Sequence, residues 1–169
     1  VAEDCDCSIE AQLNALITAG EIGRIVAAKV ALAGAVAGCQ AECGVASSMA
    51  AAAVAYIMGL DINQIENAAE IAMEHHLGLT CDPIYGYVQI PCIERNAVAS
   101  MRAKNAVNLA SFLWDTRKIS FDKVVDNMIC QKNGFRYLMV VSCQGVNYDL
   151  MSSAEKLSLE QGFVEFLNR

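Results

Sequence analysis

The sequence predicts an all-α fold, a compact multi-helix domain, and three observations carry that prediction. Only 2 of the 169 residues are proline, so little interrupts a helix. Much of the apolar content is alanine, the strongest helix former. Apolar residues also recur three and four apart over long stretches. Aromatic residues make up only 7% of the chain, so the core must be built from small side chains that bury useful area only when helices approach closely. The length suits one domain over 1–169, with no repeat or linker and no low-complexity tract beyond the alanine run at 50–53.

Residues 1–8 form a polar lead-in. A first helix is predicted from Ile9 to about Val30, on the spacing of Ile9, Leu13, Leu16, Ile17, Ile22, Ile25 and Val26. Gly20 and Gly23 mark either a break or a close helix contact in it. Gly34 to Cys39 is expected to be a small-residue loop. A second helix runs from about Gln40 to Met58, stopped by Gly59. Asp61 then stands where an N-cap belongs, with Gln64 placed to complete a capping box and Glu66 adding charge to the early turns. The third helix, about Ile62 to Leu77, carries Ile65, Ala69, Ala72, Met73 and His76 on one side and ends at Gly78. Thr80 to Pro91 is a loop broken by Pro83, Gly86 and Pro91. Pro91 opens a fourth helix to about Trp114. Ser120 caps a fifth, from Phe121 to about Lys132, which Gly134 ends. Phe135 to Ser142 is a strand or a buried helix, and Ser158 to Leu167 a terminal helix.

The formal net charge is −7 and no dense Lys/Arg cluster occurs, which argues against nucleic acid as a partner. The uncharged run Cys43 to Leu60 touches the length of a membrane span. Its Ala, Ser and Gly content and its acidic flanks, Glu42 and Asp61, favour a buried core helix instead. No basic region followed by an apolar stretch opens the chain, so a cytoplasmic, reducing setting is expected, in which the 8 cysteines are available as thiols.

Three of those cysteines fall at element boundaries: Cys39 before the second helix, Cys81 in the loop after the third, Cys92 just after Pro91. The first turn of a helix presents unpaired N–H groups and a partial positive charge. Both are expected to lower a thiol pKa and favour the metal-binding thiolate. Spacing alone is also that of small buried hydrophobes, the commoner use of free cysteine, and it lacks the tight C-x-x-C grouping of ferredoxins.

Four stretches narrow the choice. Gly38-Cys39-Gln40-Ala41-Glu42-Cys43-Gly44, Asn67 to His75, Leu77-Gly78-Leu79-Thr80-Cys81-Asp82-Pro83 and Gln89-Ile90-Pro91-Cys92-Ile93-Glu94-Arg95-Asn96-Ala97 resemble, in this order, the α unit of iron–sulfur L-serine dehydratases. The resemblance runs from about Leu13 to about Met128, and 129–169 diverges. It implies that Cys39, Cys81 and Cys92 hold a [4Fe–4S] cluster with one open iron acting as a Lewis acid. The implied reaction takes L-serine to pyruvate and ammonia through an aminoacrylate, without pyridoxal phosphate, as a step of amino-acid catabolism feeding gluconeogenesis. It also implies a β chain or domain as partner, and homo-oligomers are a further expectation. The family's preceding segment with its small-residue loop, its β region and its glycine-rich end have no counterpart in these residues. The Tyr85-Gly86-Tyr87 loop also differs from the family's glycine-rich version. Alternatives are a cysteine desulfidase-like lyase of the same fold, or a non-catalytic cluster-binding or interaction subunit.

Around the cysteines, Glu42, Glu74 and Glu94 are candidates for a base or for orienting a substrate amine, His75 for proton transfer, and Arg95 for binding a carboxylate. For the carboxylates and Arg95 the plain alternative is a solvated helix face or a bracing ion pair, and for His75 a charge complementing the helix dipole. His76, on the apolar stripe, is expected to be a satisfied core histidine or a charge complementing the helix dipole. Cys43 is expected to be a buried thiol and not a fourth ligand. Cys5 and Cys7 lie in the polar lead-in, and Cys130 and Cys143 outside the matched motifs.

Overall fold

A computed structural model describes residues 1–87 and 89–132. Within it the chain forms helices α1 (Ile9–Ala27), α2 (Gly34–Ala37), α3 (Cys39–Ile57), α4 (Ile62–Glu74), α5 (Gln89–Leu113) and α6 (Phe121–Lys132), with a 3₁₀ turn at Trp114–Thr116. No strand occurs among the described residues, and Ile84 and Tyr87 make a single antiparallel bridge. The predicted features at Gly134, Phe135–Ser142, Ser158–Leu167 and Cys143 lie outside the described residues, as does the Cys130 side chain.

Helix α3 is the centre of the fold. It packs on α1, α2, α4 and α5, and buried residues run round it from Cys39 to Ala55. A helix apolar on all sides belongs in a core, which is how the uncharged run at 43–60 is used. Among the described residues no helix is long and apolar enough to cross a membrane. The helix interfaces are rich in buried alanine: Ala51, Ala52 and Ala55 of α3, Ala68, Ala69 and Ala72 of α4, and Ala103, Ala106 and Ala110 of α5 are all buried. Met73, Val107, Val125 and Met128 fill the remaining space.

The start of α4 is as expected. Asp61 accepts from the N–H groups of Asn63 (2.8 Å) and Gln64 (3.0 Å), and the Gln64 side chain accepts from the Asp61 N–H (3.0 Å). Ile65, Ala69, Ala72, Met73 and His76 all point into the core. Helix α4 stops at Glu74, and a turn carries the chain to Gly78. Gly59 ends α3 with φ +73°, as a helix stop requires.

Two expectations are corrected. The first concerns α1. Ile9, Leu13, Leu16 and Ile17 are exposed, and the buried face is Ala15, Ala19, Ile22, Gly23 and Val26. Both faces have helical spacing. The small one wins because α3 lies so close that a Cβ on Gly23 would stand 2.9 Å from the Met49 sulfur. Gly23 therefore marks a close contact, and α1 is unbroken. The second concerns residues 34–39. Instead of a loop, Gly34–Ala37 make one helical turn, and Gly38 reverses the chain with φ +82° directly before α3.

Candidate metal centre

Cys39 is the first residue of α3, buried at 2% exposure. Its position is fixed by Gly38, whose missing Cβ leaves room for the Leu79 carbonyl, and by Gln40. The Gln40 N–H donates to Leu79 O (3.1 Å). Its side chain accepts from the Gly78 N–H (3.0 Å) and donates to the Ala37 carbonyl (3.1 Å). The start of α3 is thus locked to the segment leaving α4, which two residues later carries Cys81.

Cys92 lies in the first regular turn of α5, just after Ile90, whose backbone is not helical, and Pro91, which follows a cis peptide bond. Its carbonyl accepts from Asn96 (2.9 Å). Cys81 is exposed in the segment between α4 and α5. The three segments meet. Cys39 and Cys81 are both near enough to Cys92 for their charges to act on its thiol. Cys43, one turn into α3, is buried against Cys39. Cys5 and Cys7 sit in the turns before α1.

For Cys92 the electrostatics run against the expectation from helix starts. Burial first, and then the Cys39 thiol, push the Cys92 thiol above its ordinary value, with Glu42 and Cys81 adding to the effect. The same two causes push Cys43 up to about 11. Burial and neighbouring groups that ionise to anions both disfavour the thiolate there.

Arg95, one turn beyond Cys92, donates to the Thr80 carbonyl (2.9 Å) and pairs with Asp82 (2.7 Å), and its guanidinium also reaches Cys39. Glu42 is exposed on the first turn of α3, its carboxylate over Gly34. Next to the cysteines, His75, Glu94, Arg95 and Arg102 line an open cleft of about 310 Å³, with Leu79, Pro91 and Val98 as its apolar wall. The His75 Nδ1 lies 2.7 Å from the Ile71 carbonyl. A carbonyl only accepts, so this nitrogen carries a hydrogen, and Nε2 is the ring nitrogen left for other partners. His76 makes the same contact to Ala72 O (2.7 Å) but is buried, and burial depresses its pKa, so it is a neutral core residue. Sequence reasoning gave no role to Gln40, Asp82 or Arg102, which donates to the His75 carbonyl (2.6 Å). Two of them stand inside the quoted motifs, and only their cross-segment bonds reveal what they do.

Among the described residues no three His, Cys, Asp or Glu side chains close around a point as they would for a single ion. An iron–sulfur cube sets a different requirement, since each thiolate binds a separate iron at a separate corner. Three thiols from three segments, soft donors beside a guanidinium that offsets thiolate charge, fit that requirement.

The sequence comparisons agree on one family. A profile of the serine dehydratase alpha chain matches residues 1–133. The L-serine dehydratase of Mycobacterium bovis is 52% identical over 113 residues, which is 67% of this chain and 24% of that protein. The L-serine dehydratase of Streptomyces coelicolor is 50% identical over 113 residues (67% and 25%), and L-serine dehydratase TdcG of Escherichia coli 50% over 112 residues (66% and 25%). The chain spans about a quarter of the length of these relatives. With the match covering both helix starts, the loop between them and every cysteine of the centre, the chain belongs to the serine dehydratase alpha chain family.

Proposed function

We propose that this chain is the cluster-bearing part of an iron–sulfur L-serine dehydratase, with Cys39, Cys81 and Cys92 holding a [4Fe–4S] cluster and L-serine giving pyruvate and ammonia. One observation carries the reading: thiols from three separate segments meet beside a cleft that holds two guanidinium groups, an imidazole and a carboxylate. When bound, the cluster supplies a Lewis acid for the substrate oxygen.

The chain's own groups suit the rest of the task. Arg102 offers planar donors for the substrate carboxylate. His75, with its Nδ1 hydrogen engaged at Ile71, presents Nε2 as a base toward the cleft, and Glu94 is the second candidate. Glu42, close enough to act on Cys92 and Cys43, is placed to meet a substrate ammonium. A β chain or domain completes the site in this reading. The exposed apolar residues on the segment between Cys81 and Cys92 and just beyond it, Tyr85 at 95%, Tyr87 at 68% and Ile93 at 66%, are a surface for that partner or for a second copy of the chain.

The test is anaerobic reconstitution with iron and sulfide, followed by iron and sulfide analysis, optical spectra, and turnover of L-serine against L-cysteine with the β region supplied. Cluster uptake with serine turnover is expected. Failure to bind iron would sink the cluster assignment. Preference for L-cysteine would move the chain to desulfidase chemistry, and cluster uptake without turnover of either would make it a binding subunit.

A further inference from the structure

We infer that Arg95 is a positioning residue that holds the Cys81 segment against the two helix starts that carry Cys39 and Cys92. It stands on α5 three residues after Cys92. Its guanidinium holds the residues on both sides of Cys81: it donates to the Thr80 carbonyl at 2.9 Å and grips the two Asp82 carboxylate oxygens at 2.7 Å and 3.2 Å. It is also near enough to Cys39, at the start of α3, for the two groups to act on each other. One side chain thereby reaches the α3 start and the α4–α5 segment while rooted in α5.

The alternatives explain less. An exposed Arg–Asp pair ordinarily adds little to stability, and here Asp82 is 56% exposed. What is unusual is where the contacts go. The segment carrying Cys81 is exposed from Thr80 to Tyr87, with no core side chain of its own to anchor it. The start of α3, by contrast, is fixed by Gly38 and Gln40, and α5 packs on both α3 and α4. Cys81 is therefore the one thiol of the three whose place depends on a surface contact, and Arg95 makes it. Holding two carboxylate oxygens and a carbonyl at once needs the planar guanidinium fork, which lysine lacks. Arg95 is on this account committed to the protein, which leaves the substrate carboxylate to Arg102. The inference rests on the proposed function for the cluster itself, but the gathering of thiols is readable without metal.

The test uses the full chain, reduced and metal-free, treated with dibromobimane, which fluoresces when it bridges two thiols. Peptide mapping then locates the bridges. Arg95→Gln is expected to lower bridging between Cys81 and Cys92 by about fivefold or more, because a freed loop has a lower effective concentration. Bridging between Cys39 and Cys92, set by helix packing, should stay at the parent level. Arg95→Lys should recover less than half of the loss. Asp82→Asn, which leaves α5 untouched, should show the same loss of Cys81 bridging and decides the matter if Arg95→Gln loses helicity. After anaerobic loading, both Arg95→Gln and Asp82→Asn should release iron to a chelator faster than the parent. Only Arg95→Gln should lower the reduction potential, since it alone removes the positive charge beside the Cys39 sulfur. Parent-level Cys81 bridging in Asp82→Asn and in a folded Arg95→Gln would overturn the inference. If the parent takes up no cluster while the bridging result holds, the proposed function fails and the inference stands.

Discussion

Replacing Glu70 with glutamine tests the electrostatics of the helix interior directly. Glu70 is 4% exposed on α4, accepts from the Asn67 side chain (3.1 Å), and lies within reach of the Glu74 charge. Burial first, then the Glu74 charge, raise its carboxyl from 4.5 to about 7, against a smaller opposing pull from Arg117. Between pH 4.5 and 7 the folded chain therefore binds more protons than the unfolded one at this site, and stability falls as pH rises through that window. At about 1.4 kcal/mol per pH unit of separation the full loss is roughly 3 kcal/mol, and sharing of the proton with Glu74 brings the share assignable to Glu70 to about 1–2 kcal/mol. Glutamine keeps the shape and the Asn67 contact but has no charge to desolvate. Urea unfolding of parent and Glu70→Gln at pH 5 and pH 8 measures the difference. The variant should gain about 1–2 kcal/mol at pH 8, and the gap should shrink at pH 5, where the parent carboxyl is protonated when folded. A variant no more stable than the parent at pH 8, or a gap independent of pH, would refute the reasoning.

Three further outcomes follow from packing and from the site. Gly38→Ala puts a Cβ against the Leu79 carbonyl at a positive φ, and should cost about 1–3 kcal/mol in denaturant unfolding. Met73→Ala, at a fully buried position, should cost about 2–5 kcal/mol, read in the same way. Cys39→Ser, Cys81→Ser and Cys92→Ser should each cut iron uptake sharply on anaerobic reconstitution, because a hydroxyl is a harder and poorer ligand for this iron. Cys5→Ser and Cys7→Ser should load as the parent does, and Cys43→Ser should lose stability while keeping the cluster spectrum.

What the sequence made legible was whatever local rules decide. The capping box at Asp61 and Gln64, the buried stripe from Ile65 to His76, and the span of α6 need only neighbours along the chain. The face of α1 did not, because two stripes of equal spacing compete and the distance to α3 chooses between them. The cysteine site was legible as a set of residues, through resemblance, but not in its electrostatics. A helix-start argument counts one segment, whereas the Cys92 thiol responds to Cys39, Glu42 and Cys81 from two others. For the same reason Asp82 and Gln40 stood in quoted motifs without a role: each acts on a residue more than ten positions away.

The buried alanines of α3, α4 and α5 set how this protein tolerates change. An ordinary core position tolerates exchange among several aliphatic residues of similar volume. At Ala52, Ala69 or Ala106, glycine is the one smaller residue, and every other replacement forces two backbones apart. Alanine has no rotamer to adjust, so a core this rich in alanine has few means of absorbing an added methyl group. A saturation library should therefore show a profile inverted from the usual one. The centre of the bundle would accept almost nothing, while the large apolar residues Leu16, Ile17 and Phe112, all on the surface, would accept nearly anything in the isolated chain.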